Sequence, residues 1–206
     1  MYRYFKILAD TRNKEGYHPE EAEMESHGHP IERLQLPVGD YCVATQRYEK
    51  MRTLRRHEDF VQHKFHGAPE SKTFKMQPLD ALGTYSVSVD VKQDCRELEK
   101  NLLVSMQGNR YRFERELQRA KNLGVKLYIV IADDAISCHE DMMKYESVNG
   151  DKECGIKMIE KIQELYQLYG TEFIFVHKSN LANKIVELLS QEKYLDEKEE
   201  TFLKVG

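Results

Sequence analysis

The distribution of apolar residues predicts an α/β protein in which helices flank a central mixed β-sheet. Three observations carry this. Tyr85–Lys92 alternates strictly between apolar and polar residues, and Lys126–Ala132 is a short apolar run of the buried-strand type. Helix-period stripes fall between and after these two segments.

Taken in order, Tyr2–Leu8 is the first predicted strand, and Leu34–Val43 reads as a hairpin turning near Pro37-Val38-Gly39-Asp40. Tyr85–Lys92 and Lys126–Ala132 follow, with Phe173–Val176 as a further strand. Arg110–Leu123 is predicted helical because Phe113, Leu117 and Ala120 recur at helical spacing, and Gly124 supplies the stop. Ile156–Tyr169 repeats the pattern with Ile159, Ile162, Leu165, Tyr166 and Tyr169, closed by Gly170. A last helix, Leu181–Leu189, is predicted with Ser179 as its N-cap. Residues 1–190 are therefore read as one domain. A charged segment is inserted at about 46–83, and residues 191–206 form a charged tail expected to fray.

Bulk properties narrow the function classes. The 206 residues are 40% hydrophobic and 32% charged, which suits a globular protein with a real core and not a disordered chain. The longest apolar run, Leu127–Ala132, is far too short to span a bilayer, and no signal peptide is visible. A soluble cytoplasmic protein is expected, with no membrane partner. The four cysteines are widely spaced without a CxxC pair, so they read as buried thiols. The histidines match no zinc-finger spacing. A net charge of −4 argues against indiscriminate coating of nucleic acid, but leaves room for a local basic face.

The alternating strand is the first place where chemistry is legible. Alternation puts Ser86, Ser88, Asp90 and Lys92 on one face and Tyr85, Val87, Val89 and Val91 on the other. A carboxylate and an ammonium then project side by side, which suits phosphodiester hydrolysis. The carboxylate holds a divalent metal, and the lysine positions or deprotonates the attacking water. The plainer reading of Asp90-Val91-Lys92 is a solvated strand face with a local ion pair. Gly39-Asp40-Tyr41 places a second carboxylate in a tight turn, and Asp10-Thr11-Arg12 places a third after the first strand. Each has an ordinary structural explanation when taken alone.

Together, ILADTR, PVGDY, SVDVK and NRYRFERELQRA followed by KLYIVIADD resemble the XPF-type nuclease domain of structure-specific endonucleases. The resemblance spans about residues 4–190 and is closest to compact, stand-alone microbial or phage versions. It implies a restriction-endonuclease-like core with a PD-(D/E)xK motif. It also implies a metal-dependent DNA endonuclease acting on branched, flap or junction DNA. Carried over by position, Asp10, Asp40 and Asp90 look like the carboxylates around a Mg²⁺ (or Mn²⁺) ion, Asp40 and Asp90 having a direct catalytic role. Lys92 looks like the catalytic lysine. A homodimer or heterodimer through the nuclease domain is expected on the same ground.

The sequence also departs from the family pattern. Asn13 replaces the glutamate of D-x-R-E, Val91 the arginine of E-R-K, and Arg96 the later aspartate. These losses leave open a catalytically degenerate protein that binds DNA or a partner without cutting. Arg112 and Glu116 match the family's R-x-x-x-Q positions and, with Arg12, are candidates to orient a phosphate or support the metal. An exposed i,i+4 ion pair is the competing explanation. In the insertion, Arg52, Arg55 and Arg56 are candidates to track a DNA backbone, against an ordinary solvated surface.

Overall fold

The computed structural model describes residues 4–12, 18–66, 74–103 and 109–196. It is the expected α/β architecture, built on a six-stranded mixed sheet. In chain order the strands are β1 (Ile7–Asp10), β2 (Ile31–Leu34), β3 (Tyr41–Val43), β4 (Val87–Lys92), β5 (Lys126–Ala132) and β6 (Glu172–Val176). In space they run β2-β1-β3-β4-β5-β6. β1 pairs parallel with β2 and antiparallel with β3, β3 pairs antiparallel with β4, and β4, β5 and β6 are parallel.

The helices are α1 (Pro19–Ser26), α2 (Gln46–His66), α3 (Cys95–Leu102), α4 (Asn109–Leu123), the single turn α5 (His139–Met142), α6 (Cys154–Tyr169) and α7 (Leu181–Leu189). They cover both faces of the sheet. On one face Leu8, Cys42, Leu127, Ile129 and Ile131 pack against Leu98 of α3, Phe113 and Leu117 of α4, and Met158 and Ile162 of α6. On the other, Ile7, Ala9, Tyr41, Val87, Val89, Val91 and Val130 meet Met24 of α1 and Ala182, Ile185 and Leu189 of α7. Each large side chain buried this way contributes about 1.5–3 kcal/mol relative to exposure. Covering both faces explains the continuous apolar run of β5: a strand buried on two sides has no polar side to display.

Several expectations are corrected. Leu34–Val43 does not form a hairpin, because β2 and β3 both pair with β1, which lies between them. The turn signal at Pro37–Asp40 is real, yet it belongs to a connection that crosses the end of β1. The first strand begins at Ile7 and runs on to Asp10, with Ile7 N–H bonded to the Pro30 carbonyl at 2.9 Å. Ser179 does not cap α7: it lies in a 3₁₀ turn, Lys178–Asn180, and its amide is satisfied by His177 Nδ1. Three cysteines are buried thiols as expected, and Cys138 is exposed.

The start of the inserted segment and the start of the tail are integrated into the fold. Tyr48 on α2 is buried in the core and donates from its hydroxyl to Glu32 Oε1 at 3.0 Å. Glu192 is buried beyond the end of α7. Its carboxylate accepts from Ser86 N (2.7 Å), Ser86 Oγ (2.6 Å) and Val87 N (2.9 Å), so it satisfies the start of β4. A 3₁₀ turn, Lys193–Asp196, follows. Among the described residues, no helix is long and apolar enough to cross a membrane.

Candidate active site

β4 positions the central pair. Val87, Val89 and Val91 anchor it on the α1/α7 face, which turns Ser88, Asp90 and Lys92 towards α3 and α4. That side is covered, so the alternation does not divide buried from solvated positions: Ser88, Asp90 and Lys92 are all buried. Lys92 Nζ lies 2.5 Å from Asp90 Oδ2. The contact is a close charge pair without good hydrogen-bond alignment, since the same oxygen has no hydrogen-bond partner.

Burial dominates the protonation of Asp90. Desolvation raises its pKa and nearby Asp40 raises it further; Lys92 opposes both, and the balance lies at about 7. For Lys92 burial pulls the pKa down, but Asp90, Asp40 and Glu97 outweigh it and hold the ammonium above its ordinary value. Its Nζ also sits 5.4 Å from the centre of the Phe113 ring, which reinforces the charged form.

Asp40 reaches the pair through the turn before β3. Its amide donates to the Val89 carbonyl (2.8 Å), and its Oδ2 accepts from Val91 N (2.7 Å). Gly39 is required for this approach. Its φ is +69°, and a Cβ there would run into Ser88 Oγ and come within 3.0 Å of the Val89 carbonyl. Three groups hold the turn from outside. Glu116 Oε1 accepts from Gly39 N (2.9 Å), Arg119 Nη1 donates to the Pro37 carbonyl (2.8 Å) and Ser88 Oγ reaches the Val38 carbonyl (2.9 Å). Glu116 is pushed above its usual carboxyl range, by desolvation first and by Asp90 second.

Asp10 differs from the other two. It is buried, its amide donates to the Asp40 carbonyl (2.8 Å), and its carboxylate is taken up by Arg12. Arg12 N donates to Oδ1 (2.8 Å), while Nε (2.7 Å) and Nη2 both donate to Oδ2. Arg12 Nη2 also reaches the Leu36 carbonyl at 3.0 Å. Asp10 is thus the counter-ion of Arg12, and no group of three His, Cys, Asp or Glu side chains is placed for a metal among the described residues. Asp40 and Asp90 on their own do fit a hard divalent cation. Both offer oxygen, and the buried, unbonded Oδ2 of Asp90 is the kind of atom such an ion satisfies.

Above the pair opens a cleft of about 430 Å³ between α3 and α4. Arg12, Lys92, Lys100, Arg112, Arg115 and Arg119 line it, against only Glu97 and Glu116. Arg112 and Glu116 both line this cleft. Lys100, Arg115, Arg119 and Glu97 are additions. The spacing 112, 115, 116, 119 marks one face of a helix and is the signal that could have found the α4 members. Arg96 is exposed on α3, and Glu97 is the acidic residue that faces the cleft. Asn13 lies outside the described residues.

Arg52, Arg55 and Arg56 are not brought to the site. Arg52 pairs with Glu32 (3.1 Å), Arg55 pairs with Asp80 (2.8 Å) and Glu58 (2.7 Å), and Arg56 is exposed on the same helix. α2 lies instead near β2 at the sheet edge, where Arg52, Glu32 and Tyr48 line a separate hollow.

The fold is shared with a solved structure of XPF from Aeropyrum pernix in complex with DNA. The TM-score is 0.53 at 14% sequence identity, over 90% of this chain and 64% of that one. No protein-family model and no curated protein matches the sequence. The likeness establishes the architecture, a restriction-endonuclease-like α/β core. The chain spans just under two thirds of that XPF chain's length.

Proposed function

We propose that this protein is a metal-dependent endonuclease that hydrolyses phosphodiester bonds of DNA. The observation that carries the reading is the buried pair Asp90 and Lys92 with half-buried Asp40 beside it, Lys92 opening onto a cationic cleft. A carboxylate and an ammonium buried side by side, with a second carboxylate close by, are costly unless they are used.

Asp40 and Asp90 would hold a Mg²⁺ or Mn²⁺ ion. When bound, the ion polarises the scissile phosphate and lowers the pKa of a water. Lys92 holds its proton and offsets the charge that grows on the phosphate in the transition state. Its ammonium also orients the attacking water. Glu116 and Arg119 fix the turn that carries Asp40, so the carboxylate is in place before substrate arrives. A preference for branched, flap or junction DNA, and a dimer formed through the nuclease domain, belong to the same reading and rest on the motif resemblance.

Purified protein incubated with labelled flap, fork and four-way-junction DNA in Mg²⁺ or Mn²⁺ tests this. The wild type should cut, while Asp90→Asn and Lys92→Ala should lose at least about 10²-fold in rate. Equal cutting by the variants would remove the assignment. A second reading, a non-cleaving DNA- or partner-binding protein, is favoured by the capture of Asp10 by Arg12, which leaves two carboxylates for the metal. It predicts binding without cleavage in either ion.

A further inference from the structure

We propose that the cleft between α3 and α4 is a binding site for a single-stranded segment of nucleic acid, distinct from the carboxylate centre it adjoins. The inference rests on the nucleic-acid part of the proposed function and is independent of catalysis.

Lys100, Arg112 and Arg115 are exposed and line the cleft, and none of them has a salt-bridge partner among the described residues. They contrast with the arginines of α2 that pair with acidic neighbours. Cations that a protein leaves unpaired in a concave surface attract an anion. The cleft's cations arise from two helices, Lys100 from α3 and Arg112 and Arg115 from α4, instead of from one point.

Charge alone would suit any polyanion. The second observation is Tyr111, one turn before Arg115 on α4. It is 61% exposed, and the Arg115 guanidinium carbon lies 5.3 Å from its ring centre. An exposed aromatic ring with an arginine beside it is a platform on which an unpaired base stacks. A duplex, whose bases are already stacked on each other, cannot use such a platform. Phosphates held by Lys100, Arg112 and Arg115, with a base on Tyr111, therefore describe a strand that has left its partner.

Fluorescence anisotropy of the full chain with a short labelled single strand and the matching duplex, both in EDTA over a range of salt, provides the test. The wild type should bind the single strand more tightly. The combined variant Lys100→Ala, Arg112→Ala and Arg115→Ala should lose affinity, and its slope against log salt should flatten by about 0.7 for each contact removed, roughly 2 in all. Tyr111→Ala should weaken single-strand binding by about ten-fold and leave duplex binding unchanged. All four side chains are exposed, so the fold is retained, which circular dichroism checks. Arg55→Ala with Arg56→Ala, on α2, serves as a control and should bind as the wild type does. Unchanged affinity and slope in the combined variant would overturn the proposal, as would equal losses on both substrates in Tyr111→Ala. The two readings fail separately. Binding through the cleft without cleavage sinks the nuclease and keeps the site, whereas cleavage with indifferent cleft variants does the reverse.

Discussion

Lys92 and Asp90 share one buried pocket with their charged atoms 2.5 Å apart, two residues along a single strand. Removing one charge from such a pair leaves the other uncompensated, at a cost of about 3–5 kcal/mol if it stays ionised. Asp90 need not stay ionised, since its pKa is already pushed up to about 7 with the lysine present. Lys92→Met should raise it further. A carboxyl whose folded pKa is raised contributes stability that is complete below its unfolded value and is lost as pH rises through the folded one. Below pH 7 both proteins carry the proton when folded, so the deficit should be small. Above pH 7 only the variant holds it, and the deficit should widen towards pH 9. Urea denaturation in EDTA at several pH values reads this, and a gap independent of pH would break the assigned contact.

Gly39→Ala should damage activity more than its size suggests. The positive φ costs an alanine about 1 kcal/mol, and the new methyl meets Ser88 Oγ and the Val89 carbonyl. The turn can relieve this only by shifting, which moves Asp40 away from Asp90. A loss of roughly 1–2 kcal/mol in stability with a ten-fold or larger fall in cleavage is expected. If cleavage tracks stability alone, Asp40 does not depend on this turn.

How far the sequence carries can be judged from these two positions. The alternation of β4 and the turn chemistry around Gly39 are local, so the strand and the bend are legible from a few residues. Pairing is not local. The segment 34–43 looks like a hairpin because its sequence does not reveal that β1 occupies the place between β2 and β3. Burial of Asp90 and Lys92 is hidden for the same reason: alternation normally marks one solvated face, and only packing of α3 and α4 covers it. Asp10 reads as a metal ligand by position, whereas its partner Arg12 is two residues away in plain view. That the guanidinium turns back onto this carboxylate is visible only in the fold.

Glu192 makes the clearest long-range prediction. It contacts Ser86 across 106 residues of sequence, Oε1 accepting from the Ser86 hydroxyl and Oε2 from the Ser86 and Val87 amides where β4 begins. In Glu192→Gln an NH₂ group must face at least one of these donors. The variant should lose about 1–3 kcal/mol, measured by chemical denaturation. The same stability as the wild type would mean that the carboxylate does not clasp the strand.

Asp10→Asn and Arg12→Ala should behave as one lesion. The Arg12 guanidinium takes Oδ2 of a buried carboxylate whose Oδ1 accepts from the Arg12 amide, so either substitution breaks the same ion pair. A double-mutant cycle on stability should therefore be strongly non-additive, with the double variant scarcely worse than Arg12→Ala. Arg12→Ala should be the costlier single change, because it strands a buried charge that Asn in place of Asp10 does not carry. Mn²⁺ affinity, followed by calorimetry, separates the two roles open to Asp10. As the counter-ion of Arg12 it should leave that affinity within about two-fold in Asp10→Asn, since Asp40 and Asp90 supply the donors. A loss of about ten-fold or more, of the size typical for residues that tune a metal site, would instead mean that Arg12 swings away when the ion binds and Asp10 joins the metal.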